Sequence, residues 1–157
     1  MFVRYYLELA LPFGDVEGRL LRAPEEWIPG IAEDAEARGE ELLAEVGFGP
    51  PGRRLEKQVR IEVGTPFRLA SKTALPMTWR ATGAGALFPS LEADLEAAPL
   101  GANRTQLSIS ARYRPPLGPV GRTMDKVVLH RVAEATIKDF LDRAGESLQG
   151  LVLSPAS

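Results

Sequence analysis

The stretch from Thr123 to Gln149 does most to decide what this chain can fold into. It contains no proline and one glycine, Gly145. Val128, Leu129, Val132, Ala133, Thr136, Ile137, Phe140, Ala144 and Leu148 recur at i, i+3 and i+4, which makes a broad apolar stripe. Lys126, His130, Arg131, Glu134, Lys138, Asp142 and Glu146 occupy the remaining faces. The spacing predicts a long helix over residues 122–150, roughly 40 Å at 1.5 Å per residue, enough to cross a whole sheet. Glu134–Lys138 and Asp139–Arg143 are oriented to pair one turn apart. So wide a stripe requires a second apolar layer, and the preceding residues supply one.

Val3, Tyr5, Leu7, Leu9 and Leu11 alternate with Arg4, Tyr6, Glu8 and Ala10, the period of a half-buried strand over residues 1–12. Residues 15–38 read as two short helices with a kink at Pro24 to Gly30, and Gly39 as a C-cap. From 40 to 113 the pattern is that of an antiparallel sheet, with turn signals every ~8–12 residues. Its expected strands are Glu41–Val46, Arg54–Val63, Phe67–Leu75 (ended by Pro76), Met77–Thr82, Leu91–Ala98 and Thr105–Tyr113. Turns are expected at Gly47–Gly52, Gly64–Pro66, Gly83–Gly85 and Gly101–Asn103, and residues 151–157 read as a tail.

At 157 residues the chain suggests one domain, one that buries ~68–70% of its unfolded surface and needs no covalent staples. A net charge of −2 lacks the basic footprint of a dedicated nucleic-acid binder. Zero cysteines exclude disulfides, thiol catalysis and Cys-ligated clusters. Charges at Arg4 and Glu8 interrupt any signal-peptide core, and no apolar run reaches the ~18 residues of a membrane span. The expected location is the cytoplasm, with no cofactor and no metal.

The order is strand, two short helices, about six to seven strands, one long helix. With Tyr113-Arg114-Pro115-Pro116-Leu117-Gly118-Pro119-Val120-Gly121 leading into Asp125 and the helix through Val132, Ile137, Phe140 and Leu141, and with Pro24-Glu25-Glu26-Trp27-Ile28-Pro29 near the start, it resembles the START-like (SRPBCC) superfamily, which includes Bet v 1-like and polyketide cyclase/dehydrase-like proteins. The resemblance implies an α+β helix-grip fold, a curved antiparallel sheet gripping the C-terminal helix. It also implies a cavity between them for a hydrophobic or amphipathic small molecule. Small inward residues (Ser71, Thr73, Ala81, Ala93, Ala97, Ala111, Ala133 and Ala144) fit such a pocket and fit close helix–sheet packing equally.

The expected ligand-binding set is Tyr5, Ser71, Thr73, Met77, Trp79, Leu107, Ile109, Tyr113, Val132 and Phe140, all on inward parities or the helix stripe. The hydroxyls would orient a polar head group, or else pair within the protein. Tyr5, Tyr113 or His130 could transfer protons in a cyclase/dehydratase-type enzyme, although His130, the only histidine, reads as a surface residue bordering the stripe. A third reading is a protein-interaction module with a filled core. Glu92, Asp94 and Glu96 alternate outward, as do Arg68, Lys72, Arg80 and Arg112, so cross-strand ion pairs account for them. Gly47-Phe48-Gly49-Pro50-Pro51-Gly52 has the glycine spacing of a dinucleotide loop. Its two prolines lack the N–H groups a pyrophosphate needs, so it reads as a hairpin turn.

Overall fold

A computed structural model describes residues 2–45, 58–82, 90–114 and 126–153. The elements run β1 (Phe2–Leu9), α1 (Phe13–Leu21), α2 (Pro24–Glu45), β2 (Gln58–Val63), β3 (Phe67–Arg68), β4 (Thr73–Thr82), β5 (Ser90–Gly101), β6 (Arg104–Arg114) and α3 (Lys126–Leu153). The six strands form one antiparallel sheet in the order β1-β6-β5-β4-β2, with β3 added to β4. This is the α+β helix-grip arrangement, with α3 packed on the sheet and α2 packed on both α3 and β2.

Period-two patterning gives the sheet two distinct faces. One inward row is Tyr113–Leu91–Trp79–Ile61 and the next is Val3–Ala111–Ala93–Met77–Val63. Two further rows follow, Tyr5–Ile109–Leu95–Leu75 and Leu7–Leu107–Ala97–Thr73. The stripe on α3 covers them: Val132, Ala133, Ile137, Phe140, Leu141, Ala144 and Leu148 are all buried. Helix α3 approaches β1 closely at Gly145, where an added Cβ would stand 3.3 Å from Leu7 Cδ1 and 3.4 Å from Leu9 Cδ2.

Three expectations are corrected. Glu41–Glu45 is not a strand but the last turn of α2, a single helix of 22 residues rather than a short one. Its Glu, Leu and Ala residues are strong helix formers with no β-branched member. Pro29 lies inside this helix and does not break it. An interior proline costs ~3 kcal/mol or more, and burial of Ile28, Ala32 and Ala35 on one face offsets it.

The second correction concerns Phe67–Leu75, which is not one strand. Leu69 N–H donates to Lys72 O at 2.8 Å, and the chain folds back so that Phe67 pairs with Ala74 and Arg68 with Thr73. Third, Pro76 does not interrupt β4. It sits in the gap between the pairing of β2 (from Met77) and that of β3 (to Ala74), where no neighbouring strand needs its missing N–H; its carbonyl accepts from Gly64 N–H at 2.8 Å.

Helices α1 and α2 meet at Ala23, whose φ of 47° is left-handed. Expectations for Gly47–Gly52, Arg54–Lys57, Gly83–Gly85 and Pro115–Gly121 lie outside the described residues.

Candidate functional site

The expected ligand-binding residues separate into three groups. Met77, Trp79, Leu107, Ile109, Tyr113, Val132 and Phe140 are all buried in one cluster between sheet and α3. Trp79 and Phe140 meet with ring centroids 5.3 Å apart and planes tilted by 56°, a favourable tilted contact. Tyr5 is half-buried at the sheet margin, with Lys138 Nζ 5.7 Å from its ring centroid.

Ser71 and Thr73 do not reach this cluster as polar ligands. Ser71 is exposed in the β3–β4 turn, because the strand that was to carry it inward does not exist there. Thr73 is buried, but its hydroxyl donates to Glu17 on α1, whose other oxygen accepts from Arg68 Nη2 at 3.1 Å. The small residues Ala93, Ala97, Ala111, Ala133 and Ala144 are all buried, so across the described rows they act as packing partners for large neighbours.

Polar chemistry collects at one end of this interface. The Tyr113 Oη lies 3.0 Å from His130 Nδ1, and His130 Nε2 lies 2.7 Å from Glu134 Oε1. With a carboxylate at Nε2 the imidazole carries its proton there, and Nδ1 accepts from the phenol O–H. Burial and the Glu134 charge both push the Tyr113 phenol up from its ordinary value. Strand β6 and helix α3 bring the three groups together, Tyr113 from the last inward row of β6 and the other two from the first turns of α3, one helical turn apart. Tyr113 is 1% exposed while the His130 side chain is 38% exposed, so the array runs from core to surface. Glu134 thus pairs with His130 and not with Lys138, which turns to Asp142 at 3.0 Å; Asp139–Arg143 forms as expected at 2.6 Å.

Sequence reasoning missed Glu36. It is 2% exposed, and its Oε1 accepts from Trp79 Nε1–H at 2.7 Å. The signal existed: Glu36 lies eight residues after Ile28 and four after Ala32, on the apolar face of α2. Treating Pro29 and Gly30 as a helix break concealed that face.

On the opposite, outer face of the sheet, a groove of ≈ 500 Å³ is lined by Glu62, Thr78, Glu92, Asp94, Ser110 and Arg112, among others. It is made mainly by outward rows of the sheet; of the expected ligand-binding residues it touches only Met77, and it does not join the others into a cavity. Of the outward acids, Glu96 pairs with Lys72 of the β3–β4 turn at 3.0 Å. Among the described residues there is no cluster of metal-ligating side chains, and no helix is long and apolar enough to cross a membrane.

No protein-family model matches the chain, and no curated protein matches it. Solved structures do. A conserved protein from Geobacillus kaustophilus is 15% identical with a TM-score of 0.49, covering 93% of each chain. An aromatase/cyclase from a Streptomyces species is 16% identical with a TM-score of 0.49, over 98% of this chain and 96% of that one. A START superfamily protein from Mycobacterium smegmatis is 13% identical with a TM-score of 0.48, over 96% and 98%. At these identities the likeness is one of fold. The strand order, the register and the long helix across the sheet establish independently that the chain adopts the helix-grip fold expected from its sequence.

Proposed function

We propose that this chain binds a hydrophobic or amphipathic small molecule at the end of the sheet–helix interface bounded by Trp79, Phe140, Tyr113 and His130. The observation that carries this reading is the Tyr113–His130 contact of 3.0 Å, placed where a continuous buried apolar row ends in a partly exposed imidazole. A ligand would enter by displacing the side chains that now bury Trp79 and Phe140, which are 1% and 0% exposed, and would gain about 25 cal/mol per Å² of its own apolar surface buried. The phenol and imidazole would hold its polar end. The setting we propose is the cytoplasm, which the absence of cysteine fits.

Native mass spectrometry of the purified protein beside a denatured control tests this. A mass excess lost on denaturation supports it. Anilinonaphthalene sulfonate, an apolar dye with one anionic end, provides a second reading by energy transfer from tryptophan. Saturable binding weakened by His130→Ala in a folded variant is the expected result. No retained mass, together with dye binding that His130→Ala leaves unchanged, would overturn the proposal.

A second reading has its own observation, the unbroken Glu134–His130–Tyr113 array. Carboxylate, imidazole and phenol in that order can shuttle a proton to a bound carbonyl or enol, the work of a cyclase or dehydratase. A bound molecule recovered chemically altered after incubation, with Tyr113→Phe abolishing the change, separates turnover from simple binding.

A further inference from the structure

We propose that the free edge of β1 is a two-fold interface with a second copy of this chain. Strand β1 ends the sheet order and, among the described residues, pairs only with β6. It is 8 residues long, pairs with β6 in unbroken register, and contains no proline, glycine or lysine. Natural edge strands are commonly blunted by such residues or by bulges, because an open row of N–H and C=O groups templates another strand. Among the described residues this edge has no proline, glycine, lysine or bulge, and its two charges, Arg4 and Glu8, are of opposite sign. Instead it carries two large exposed aromatics on the outer face, Phe2 at 57% and Tyr6 at 61%.

The sequence of β1 is complementary to its own reverse. With Tyr6 on a two-fold axis, antiparallel pairing sets Arg4 of each copy opposite Glu8 of the other. On the inner face the same register sets Tyr5 opposite Leu7 and Val3 opposite Leu9. Slipping by one residue puts outer side chains opposite inner ones. The two-residue slips set Arg4 opposite Tyr6, or Tyr6 opposite Glu8, and leave the charges unmatched. Larger slips oppose Arg4 to Arg4 or Glu8 to Glu8. One register therefore satisfies both charge and face, the condition for an isologous contact. Glu8 already pairs with Arg104 on β6 of its own chain, so Arg4 of the second copy completes a three-charge cluster on each side of the axis. The inference is independent of the ligand-binding proposal.

Sedimentation velocity over a concentration series, with the full chain, tests it. The expected result is a reversible dimer. Arg4→Glu and Glu8→Arg, each alone, should weaken it by about tenfold or more, since two opposite-charge pairs become two like-charge pairs at once. An equimolar mixture of the two variants should dimerise again, because both cross-strand pairs then join opposite charges, one as in the parent chain and one with its sign reversed. A monomer at every concentration, a dimer indifferent to both charge changes, or no recovery in the mixture would overturn the proposal.

Circular dichroism checks that each variant is folded. Should either fail to fold, Tyr6→Cys decides the matter, because the chain has no other thiol. Cysteines on the axis should form an intermolecular disulfide under mild oxidation much faster than Glu92→Cys, an exposed control on the same face. Equal rates would refute the interface.

Discussion

Replacing Trp79 by phenylalanine separates hydrogen bonding from packing in the last inward row of the core. Trp79 is 1% exposed and Glu36 is 2% exposed, so neither side of their 2.7 Å bond is shared with bulk water. Removing one partner of a buried hydrogen bond, so that the other is stranded, costs ~1–3 kcal/mol. Loss of the larger ring's atoms against Phe140 adds about 1 kcal/mol, so Trp79→Phe should cost about 3 kcal/mol. On a total of ~5–15 kcal/mol that is a large fraction, and at this chain length it lowers Tm by about 6–12 °C. Glu36→Leu acts differently. It strands the indole N–H but also removes a polar group that is costly to bury, so its net effect should be smaller than that of Trp79→Phe. In the double variant neither polar group is stranded by loss of the other. Urea denaturation of all four proteins, followed by circular dichroism, gives the coupling energy, expected at ~1–3 kcal/mol with the double variant less destabilised than the sum. Additive losses, or a Trp79→Phe cost under about 1 kcal/mol, would refute the buried bond and leave packing alone to account for Trp79.

Other expectations follow from the same geometry. Because burial and Glu134 raise the Tyr113 phenol above its ordinary value of 10.0, the folded state keeps this proton after the unfolded chain has lost it. Its stabilising contribution is therefore complete below pH 10 and is lost as pH rises through the raised value; Tyr113→Phe should flatten the alkaline fall in stability, and unchanged slopes would contradict the assignment. Thr73→Val should cost about 1–2 kcal/mol in urea, since Glu17 loses its buried donor while keeping Arg68. Gly145→Val should destabilise by about 1–3 kcal/mol by driving a branched side chain into Leu7 and Leu9, whereas Gly145→Ala should be near neutral, because helix propensity offsets a contact of 3.3 Å with a flexible leucine end; thermal melts of both compare the two.

The layers of this molecule were legible because each has one dominant period. Alternation in β1, β5 and β6 and the stripe of α3 specify a sheet under a helix, and the observed rows follow them residue by residue. What was misread lies where local and tertiary signals disagree. Pro29 is a strong local breaker, but the face formed by Ile28, Ala32 and Ala35 is buried as one surface, and that burial keeps α2 continuous. Phe67–Leu75 alternates well enough for a strand, yet the backbone turns at Leu69–Lys72, which alternation does not encode. The site was half legible for the same reason. Tyr113 and His130 were each apparent as candidates, but their contact depends on how the last row of β6 aligns with the first turns of α3, which no local period sets for residues 17 apart in sequence.

The distribution of polar groups along the interface bears directly on function. At the Gly145 end, α3 descends onto Leu7 and Leu9 with methyl contacts, as a purely structural interface would. At the other end, a buried carboxylate on Trp79 and a phenol–imidazole–carboxylate array stand within the same cluster of elements. Apolar groups of similar volume in place of Glu36 and its Trp79 donor together, or of the Tyr113 hydroxyl and its His130 acceptor together, would pack a core of comparable stability, because buried polar pairs recover little more than their desolvation cost. Packing alone therefore gives no reason for both to lie at the same end, at the one place where the core reaches a partly exposed histidine. A site that must hold one polar end of an otherwise apolar molecule does give a reason. It also predicts that substitutions at Glu36 and Tyr113 affect ligand retention more than substitutions of similar stability cost near Gly145.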